Sequence, residues 1–289
     1  MDFAYYDLQR KTASGDIAAL FPGFAPGEEA LAVLSPHDDD ALIGASYAMR
    51  AAMAHGAPVY VLIACRGNLG YTDSALRDAI EEIRQKETDA AYACVGLEPG
   101  HIGRLNISDF SLGAHAEYLL PGDQPGTLKA VVTFLRKRKI TRLLIPNGYR
   151  EHSDHTALNK IGVFDAPQAG DPIVPDWAMP QRVKTVAEYS VWADFSPEDM
   201  LVAGREKDLR ANRLVCADGE VEDAVRRGLA AYKSQGDIIS DLVASREARK
   251  TARGLYLEPY LVLDPRPKID LKPYVGAADE IDGKREKRA

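Results

Sequence analysis

Cysteine is scarce in this chain: three in 289 residues, Cys65, Cys94 and Cys216, with no two at C-x-x-C spacing. An odd, scattered count is a poor disulfide framework and offers no thiolate cage for a structural metal. Cys65 and Cys94 fall in apolar runs and read as small buried hydrophobes. Long apolar runs are lacking as well. None approaches the ~20 residues that cross a bilayer, so no membrane span is expected. The chain opens on Asp2 and aromatics instead of a basic stretch leading into an apolar one, which speaks against a secretory signal and makes the cytoplasm the expected location. Nor is there an excess of positive charge. Lys and Arg number 36 against 43 Asp and Glu, a net charge of −7, which disfavours a nucleic-acid partner because phosphate backbones are met by clustered basic faces. The basic runs 136–139 and 284–288 are short, and the first ends a predicted helix, where cations complement the dipole. What remains, 46% hydrophobic and 27% charged residues, is the profile of an ordinary globular chain.

Residues 1–29 are mixed, punctuated by Pro22-Gly23 and Pro26-Gly27, and read as an N-terminal arm with room for one helix. From residue 30 the pattern becomes regular. Ala30 to Ser35 and Val59 to Ala64 are short continuous apolar runs, as expected of strands covered on both faces. Ala41 to Ala54 reads as a helix between them. Thr72-Asp73-Ser74 offers N-cap chemistry for a long helix reaching about Val95 and ended by Gly96. A strand near His101 to Asn106, a helix near Thr127 to Lys139 and a strand over Arg142 to Pro146 continue the alternation. Such alternation implies right-handed crossovers and a mostly parallel sheet, an α/β, Rossmann-like three-layer sandwich. Beyond about residue 165 the pattern loosens: a Pro-rich loop over 167–180, strands over 183–192 and 255–263, and a helix over 219–234. The expected organisation is one catalytic domain over 30–265 and a polar tail over 266–289, frayed in its last ten residues.

The chemistry concentrates in two clusters. Ser35-Pro36-His37-Asp38-Asp39-Asp40 follows the first core strand directly, and open parallel sheets bind ligands just outside the carboxyl ends of their strands. Three adjacent carboxylates repel one another, and a bound cation relieves that repulsion. The bland alternative is an acidic helix N-terminus favoured by the macrodipole. Glu151-His152-Ser153-Asp154-His155 follows the strand 142–146 and therefore lies at the same sheet edge. One of its histidines can be a ligand while the other faces substrate, and Asp154 can orient either ring. His37, Asp40 and His155 would make a site of two imidazoles and one carboxylate, the three-ligand form of a catalytic zinc centre. Asp39, beside a ligand, is placed to serve as general base toward the attacking water.

These residues resemble the LmbE/PIG-L family of zinc-dependent de-N-acetylases, whose motifs read roughly (A/S)HPDDE and HPDH. The resemblance is clear over about residues 30–165 and loose to 240. It implies zinc, with another divalent ion such as Fe2+ as the alternative, held by His37, Asp40 and His155, with Asp39 as base and His152 as the acid or oxyanion partner beside Asp154. It further implies that Arg84, in an R-x-x-E helix, reaches the substrate pocket, and that Asp109 contacts a sugar hydroxyl. Tyr232-Lys233-Ser234-Gln235 resembles the family's Y-x-S-Q segment. The expected reaction is hydrolysis of an N-acyl amide, N-acetyl above all, on an amino sugar or sugar conjugate, a small-molecule substrate. Relatives often assemble, which leaves a homo-oligomer open. The chain departs from the pattern at Asp38, where the family has Pro, and at Ala41, where it has Glu and a supporting carboxylate. Arg150, with Tyr149 beside it, stands where some relatives place a carbonyl-polarising Tyr. Two other readings compete: a two-metal phosphoesterase, for which Asp38 is the only spare carboxylate, and a carbohydrate-binding relative without catalysis.

Overall fold

The computed structural model describes residues 3–196 and 209–286. Its strands are β1 (Phe3–Asp7), β2 (Thr12–Ser14), β3 (Leu31–Ser35), β4 (Val59–Cys65), β5 (Ile102–Ile107), the small hairpin β6 (Leu119–Leu120) and β7 (Gln124–Pro125), β8 (Arg142–Pro146), β9 (Thr185–Tyr189), β10 (Arg213–Ala217) and β11 (Tyr256–Leu263). Nine of them form one sheet in the order β2-β1-β10-β11-β9-β8-β3-β4-β5. The block β9-β8-β3-β4-β5 is parallel throughout, and β11, β10, β1 and β2 extend it antiparallel.

The apolar strands are continuous because both faces of the sheet are covered. Leu31, Val33, Val59, Val61 and Ile63 point into one core, while Ala32, Leu34, Leu62 and Ala64 point into the other, the period of two that a strand imposes. The first core is closed by α1 (Asp40–Gly44), α2 (Ser46–Ala54) and α3 (Ile80–Cys94). The second lies under α4 (Thr127–Lys137) and α5 (Ser153–Lys160). Later in the chain α6 (Gly219–Leu229) and α7 (Gly236–Ser245) join the first core, and α8 (Lys272–Glu286) is exposed along most of its described length. The result is the expected three-layer α/β sandwich.

Several elements differ from the sequence reading. The N-terminal arm carries two strands, β1 and β2, joined by a turn: β1 pairs with β10, a strand that the short run Leu214-Val215-Cys216 does not announce. The helix expected over 41–54 breaks at Ala45, whose φ of −127° separates α1 from α2. The cap at Asp73 serves only a single 3₁₀ turn, and α3 begins at Ile80. The helix expected over 219–234 ends at Leu229, α7 is an additional helix, and the polar tail is helical over 272–286. The N-terminal segment is anchored by a buried ion pair. Arg142 Nε and Nη2 donate to the two oxygens of Glu29 at 3.0 Å each, and Lys184 Nζ adds a third bond at 2.9 Å.

Candidate active site

The chain leaves β3 toward β4 on one side and returns to β8 on the other. The carboxyl ends of β3 and β8 therefore flank the topological switch point, where open α/β sheets bind ligands. Both clusters emerge there. After β3, Ser35 Oγ donates to His37 O at 2.6 Å and accepts the Ala41 N–H at 3.1 Å, which folds the turn tightly and starts α1 at Asp40. After β8, His152 caps α5, so Asp154 and His155 sit in its first turn.

The two turns bring their side chains together. His37 Nδ1 lies 3.1 Å and His155 Nε2 3.2 Å from the same oxygen, Asp40 Oδ2. His37, Asp40 and His155 present ligand atoms within 4.8 Å of one another; so do His37, His152 and Asp154. The chemistry of the donors separates the two sets. A ligating imidazole presents a lone pair to the metal and donates its other N–H, usually to a carboxylate. In the first set both rings meet this condition: His37 Nε2 lies 3.2 Å from Asp154 Oδ2, and His155 Nδ1 lies 2.7 Å from Glu151 Oε2. In the second set His152 Nδ1 already accepts the Asp154 N–H at 3.1 Å, and Asp154 takes the N–H groups of Phe110 and Leu112. The donors of His37, Asp40 and His155 thus fit a zinc-type ion.

The electrostatics agree. Burial works against a charged imidazole at His37, yet hydrogen bonds to Asp154 and Asp40 push it well above the ordinary range. His155 is likewise opposed by burial and raised to about 9 by the charge of Asp40 and its bonds to Asp40 and Glu151. The pocket is built to stabilise positive charge. Asp39 moves the other way from Asp40: burial raises its carboxyl against the pull of Arg84, while Asp40 is held well below the carboxylate range, its burial outweighed by His155 and His37. Raising a base toward neutrality suits it to general-base work.

Around this cluster lies an open cleft of about 290 Å³, lined by Asp39, Arg84, Asp109, Phe110, His152 and Trp192 among others. Arg84 is buried, with Nη2 3.5 Å from Asp39 Oδ1, Nε 3.5 Å from Asp38 Oδ2 and its guanidinium 4.7 Å above the Tyr232 ring. Asp109 lines the cleft, but each oxygen also accepts a backbone N–H, from Gly67 and Leu69, at 2.9 Å. Burial and repulsion from His37 lower the His152 pKa. Asp154 belongs to His37 more than to His152: its burial is outweighed by the bond to His37 and two backbone N–H groups, which hold it at about 2. Tyr149 and Arg150 face each other at 5.8 Å and are not among the residues lining the cleft.

The departures from the family pattern acquire partners. Asp38 is fully buried and held by Arg84, by Arg104 Nη2 and by the Thr88 hydroxyl at 2.7 Å. Gly67, at φ +76°, passes so close that a Cβ there would sit 2.8 Å from Asp38 Oδ2. Glu87, of the R-x-x-E helix, accepts from Ser234 N and Oγ, and Tyr232 donates to the Asp38 carbonyl, so the C-terminal Y-x-S-Q segment docks on the same helix. Glu151 and Arg104 were not singled out by sequence reasoning. The spacing of Glu151 four residues before His155, and an acidic substitution at 38 that calls for a buried cation, were the signals available.

Fold and site define an α/β protein with a two-histidine, one-carboxylate cluster at the switch point of its sheet. Residues 32–164 match the model of the family described as PIG-L, GlcNAc-PI de-N-acetylase, also called LmbE. No curated protein matches it significantly in sequence. Among solved structures it is similar to the conserved protein TT1542 from Thermus thermophilus (23% identity, TM-score 0.61, 83% of this chain and 96% of that one). It is also similar to N,N'-diacetylchitobiose deacetylase from Pyrococcus horikoshii (17%, 0.62, 86% and 91%). GalB, the 4-carboxy-2-hydroxymuconate hydratase from Pseudomonas putida, shares the fold too (16%, 0.58, 84% and 99%). At these identities the likeness is one of fold, and a deacetylase and a hydratase both have it, so the reaction has to be argued from the site. No helix among the described residues is long and apolar enough to cross a membrane.

Proposed function

We propose that this chain is a metal-dependent hydrolase, zinc being the first choice, that removes an N-acyl group, N-acetyl above all, from an amino sugar or sugar conjugate. One observation carries the reading. The donor set His37, Asp40 and His155, each imidazole backed by its own carboxylate, opens on a cleft where a separate carboxylate, Asp39, has its pKa raised. When bound, the ion supplies Lewis acidity toward the acyl carbonyl and the attacking water.

The chain's own residues divide the remaining work. Asp39 takes the proton of the attacking water at its carboxylate, with Arg84 beside it holding the orientation. His152 is neutral, and because Nδ1 accepts a backbone N–H, its hydrogen sits on Nε2. That N–H donates to the oxygen on which charge develops. Asp39, once protonated, is the group that returns a proton to the departing amine. At the mouth Leu69, Phe110, Trp192 and Ile238 are exposed and meet the body of the substrate with apolar contact.

Asp38, the spare carboxylate that the phosphoesterase reading needs, is engaged by Arg84, Arg104 and Thr88. The test is a screen of zinc-loaded and iron-loaded protein against a panel of N-acetylated amino sugars and conjugates, detecting released amine, with phosphomonoesters and phosphodiesters in parallel. Amine release that disappears in Asp39→Asn supports the proposal. Phosphate release without amine release, or no turnover on any member with metal bound, refutes it.

A further inference from the structure

We propose that Glu151 is a positioning residue that sets the ligand geometry of His155 and ties it to the loop carrying Trp192; this rests on the reading of His37, Asp40 and His155 as metal ligands. The Glu151 side chain is fully buried. Its Oε2 lies 2.7 Å from His155 Nδ1. Its Oε1 accepts three backbone N–H groups, those of Val191 at 2.8 Å, Trp192 at 2.9 Å and Ala193 at 3.0 Å. Among the described residues no Lys or Arg pairs with it, so its charge is balanced by these donors alone.

Two consequences follow from the donor inventory. A carboxylate only accepts, so it holds the His155 hydrogen on Nδ1 and leaves Nε2, the nitrogen on the Asp40 side, as the one free to ligate a metal. The other oxygen gathers three successive amides after β9 and thereby places Trp192, which lines the cleft with His37, Asp39 and His152. One buried group thus fixes a metal ligand and a wall of the substrate cleft.

The two oxygens can be tested separately. In Glu151→Gln the amide oxygen can keep the three backbone bonds, but the NH2 then faces His155 Nδ1. The imidazole must accept there, which moves its hydrogen to Nε2, the metal-facing nitrogen. In Glu151→Ala both sets of bonds are lost, and Glu151→Asp keeps the charge with one methylene less reach. Metal-free protein would be titrated with Zn2+ alone in competition with a chromophoric chelator. Quenching of Trp192 by acrylamide would be followed in a Trp177→Phe background, since the chain has two tryptophans. Glu82→Gln, at an exposed site on α3, is the control.

Glu151→Gln is expected to bind Zn2+ roughly 10–100-fold more weakly, the usual effect of removing such a partner, with Trp192 quenching unchanged. Glu151→Ala should weaken Zn2+ binding and also raise Trp192 quenching, and Glu151→Asp should fall between Gln and wild type in Zn2+ affinity. Zn2+ affinity within about twofold of wild type in Glu151→Gln, a change well below that usual effect, overturns the proposal; should the Gln variant not fold, the same result in Glu151→Asp and Glu151→Ala does so. Unchanged Trp192 quenching in Glu151→Ala overturns the link to the loop. Wild-type protein that takes up no Zn2+ would instead bring down the ligand assignment, and with it this role.

Discussion

Asp154 Oδ2 lies 3.2 Å from His37 Nε2, on the opposite side of the ring from the nitrogen that faces Asp40. The carboxylate is pinned by the N–H groups of Phe110 and Leu112, and Phe110 adopts a left-handed φ of 62° to make its bond. A fixed acceptor on this side holds the His37 hydrogen on Nε2. Asp154→Asn, which can turn an N–H toward that nitrogen, is expected to weaken zinc binding about 10–100-fold. Chelator competition checks it, and an unchanged affinity would mean that His37 is oriented from elsewhere.

How far these contacts were legible depended on their range. The strand runs 31–34 and 59–64 are buried on both faces, so their character was plain, and the two motifs pointed to His37, Asp40 and His155 because both follow neighbouring strands of the sheet. Glu151 stood in the open within the second motif, yet its partners at 191–193 come from the end of another strand. Arg104 meets Asp38 from a distant strand, a pairing that no local pattern encodes. β10 was missed for a related reason. Its five residues carry a half-buried Arg213 whose guanidinium pairs with Asp7 in the neighbouring strand, so tertiary pairing, not periodicity, makes it a strand.

Asp39→Asn is expected to keep the metal and to lose roughly 10²–10⁴-fold in kcat, because the amide cannot take the proton of the attacking water. His155→Ala, by contrast, should lose the metal. Elemental analysis beside steady-state kinetics separates the two, and near-normal turnover in Asp39→Asn would place the base elsewhere.

Asp109 and Arg84 are expected to affect substrate more than metal, by different routes. Asp109→Ala releases the N–H groups of Gly67 and Leu69, so the Leu69 wall of the cleft loosens and KM rises while metal content stays. Arg84→Ala removes the cation that sits between the buried Asp38 and Asp39, and stranding a buried charge costs about 3–5 kcal/mol. Thermal unfolding should therefore show a large fall for Arg84→Ala and a small one for Asp109→Ala. Metal loss from Asp109→Ala would move that residue into the metal centre.

Glu29 provides a test of the fold away from the site. Burial would raise its carboxyl, but bonds from Arg142, Thr141 and Lys184 lower it from the ordinary 4.5 to about 2. A depressed folded-state pKa adds stability above the unfolded value, and that stability is lost as pH falls from about 4.5 toward 2. The difference corresponds to about 3 kcal/mol. Glu29→Gln should lower the Tm near neutral pH, and the gap to wild type should narrow as the pH is taken down through that window. A constant gap would show that the pair contributes no pH-dependent stability.

His152 decides how the oxyanion is met. The motif alone favours a protonated imidazole beside Asp154, but Asp154 Oδ2 lies nearer His37 Nε2, at 3.2 Å, than His152 Nδ1, at 3.6 Å, and that Nδ1 accepts the Asp154 backbone N–H. A ring that accepts at Nδ1 and is disfavoured as a cation by burial and by His37 is a neutral donor through Nε2. Phe110 packs against it with ring centroids 4.4 Å apart and His37 at 4.9 Å, so its position is set by packing on two sides. His152→Ala should therefore reduce kcat by about 2.7–4 kcal/mol in barrier, the usual loss for one oxyanion donor, with little change in KM or in bound metal. His152→Gln, whose side-chain N–H can reach the same region, should recover part of that loss. Equal losses in the two variants, or a loss carried by KM alone, would show that His152 holds substrate in the ground state and does not meet the developing charge.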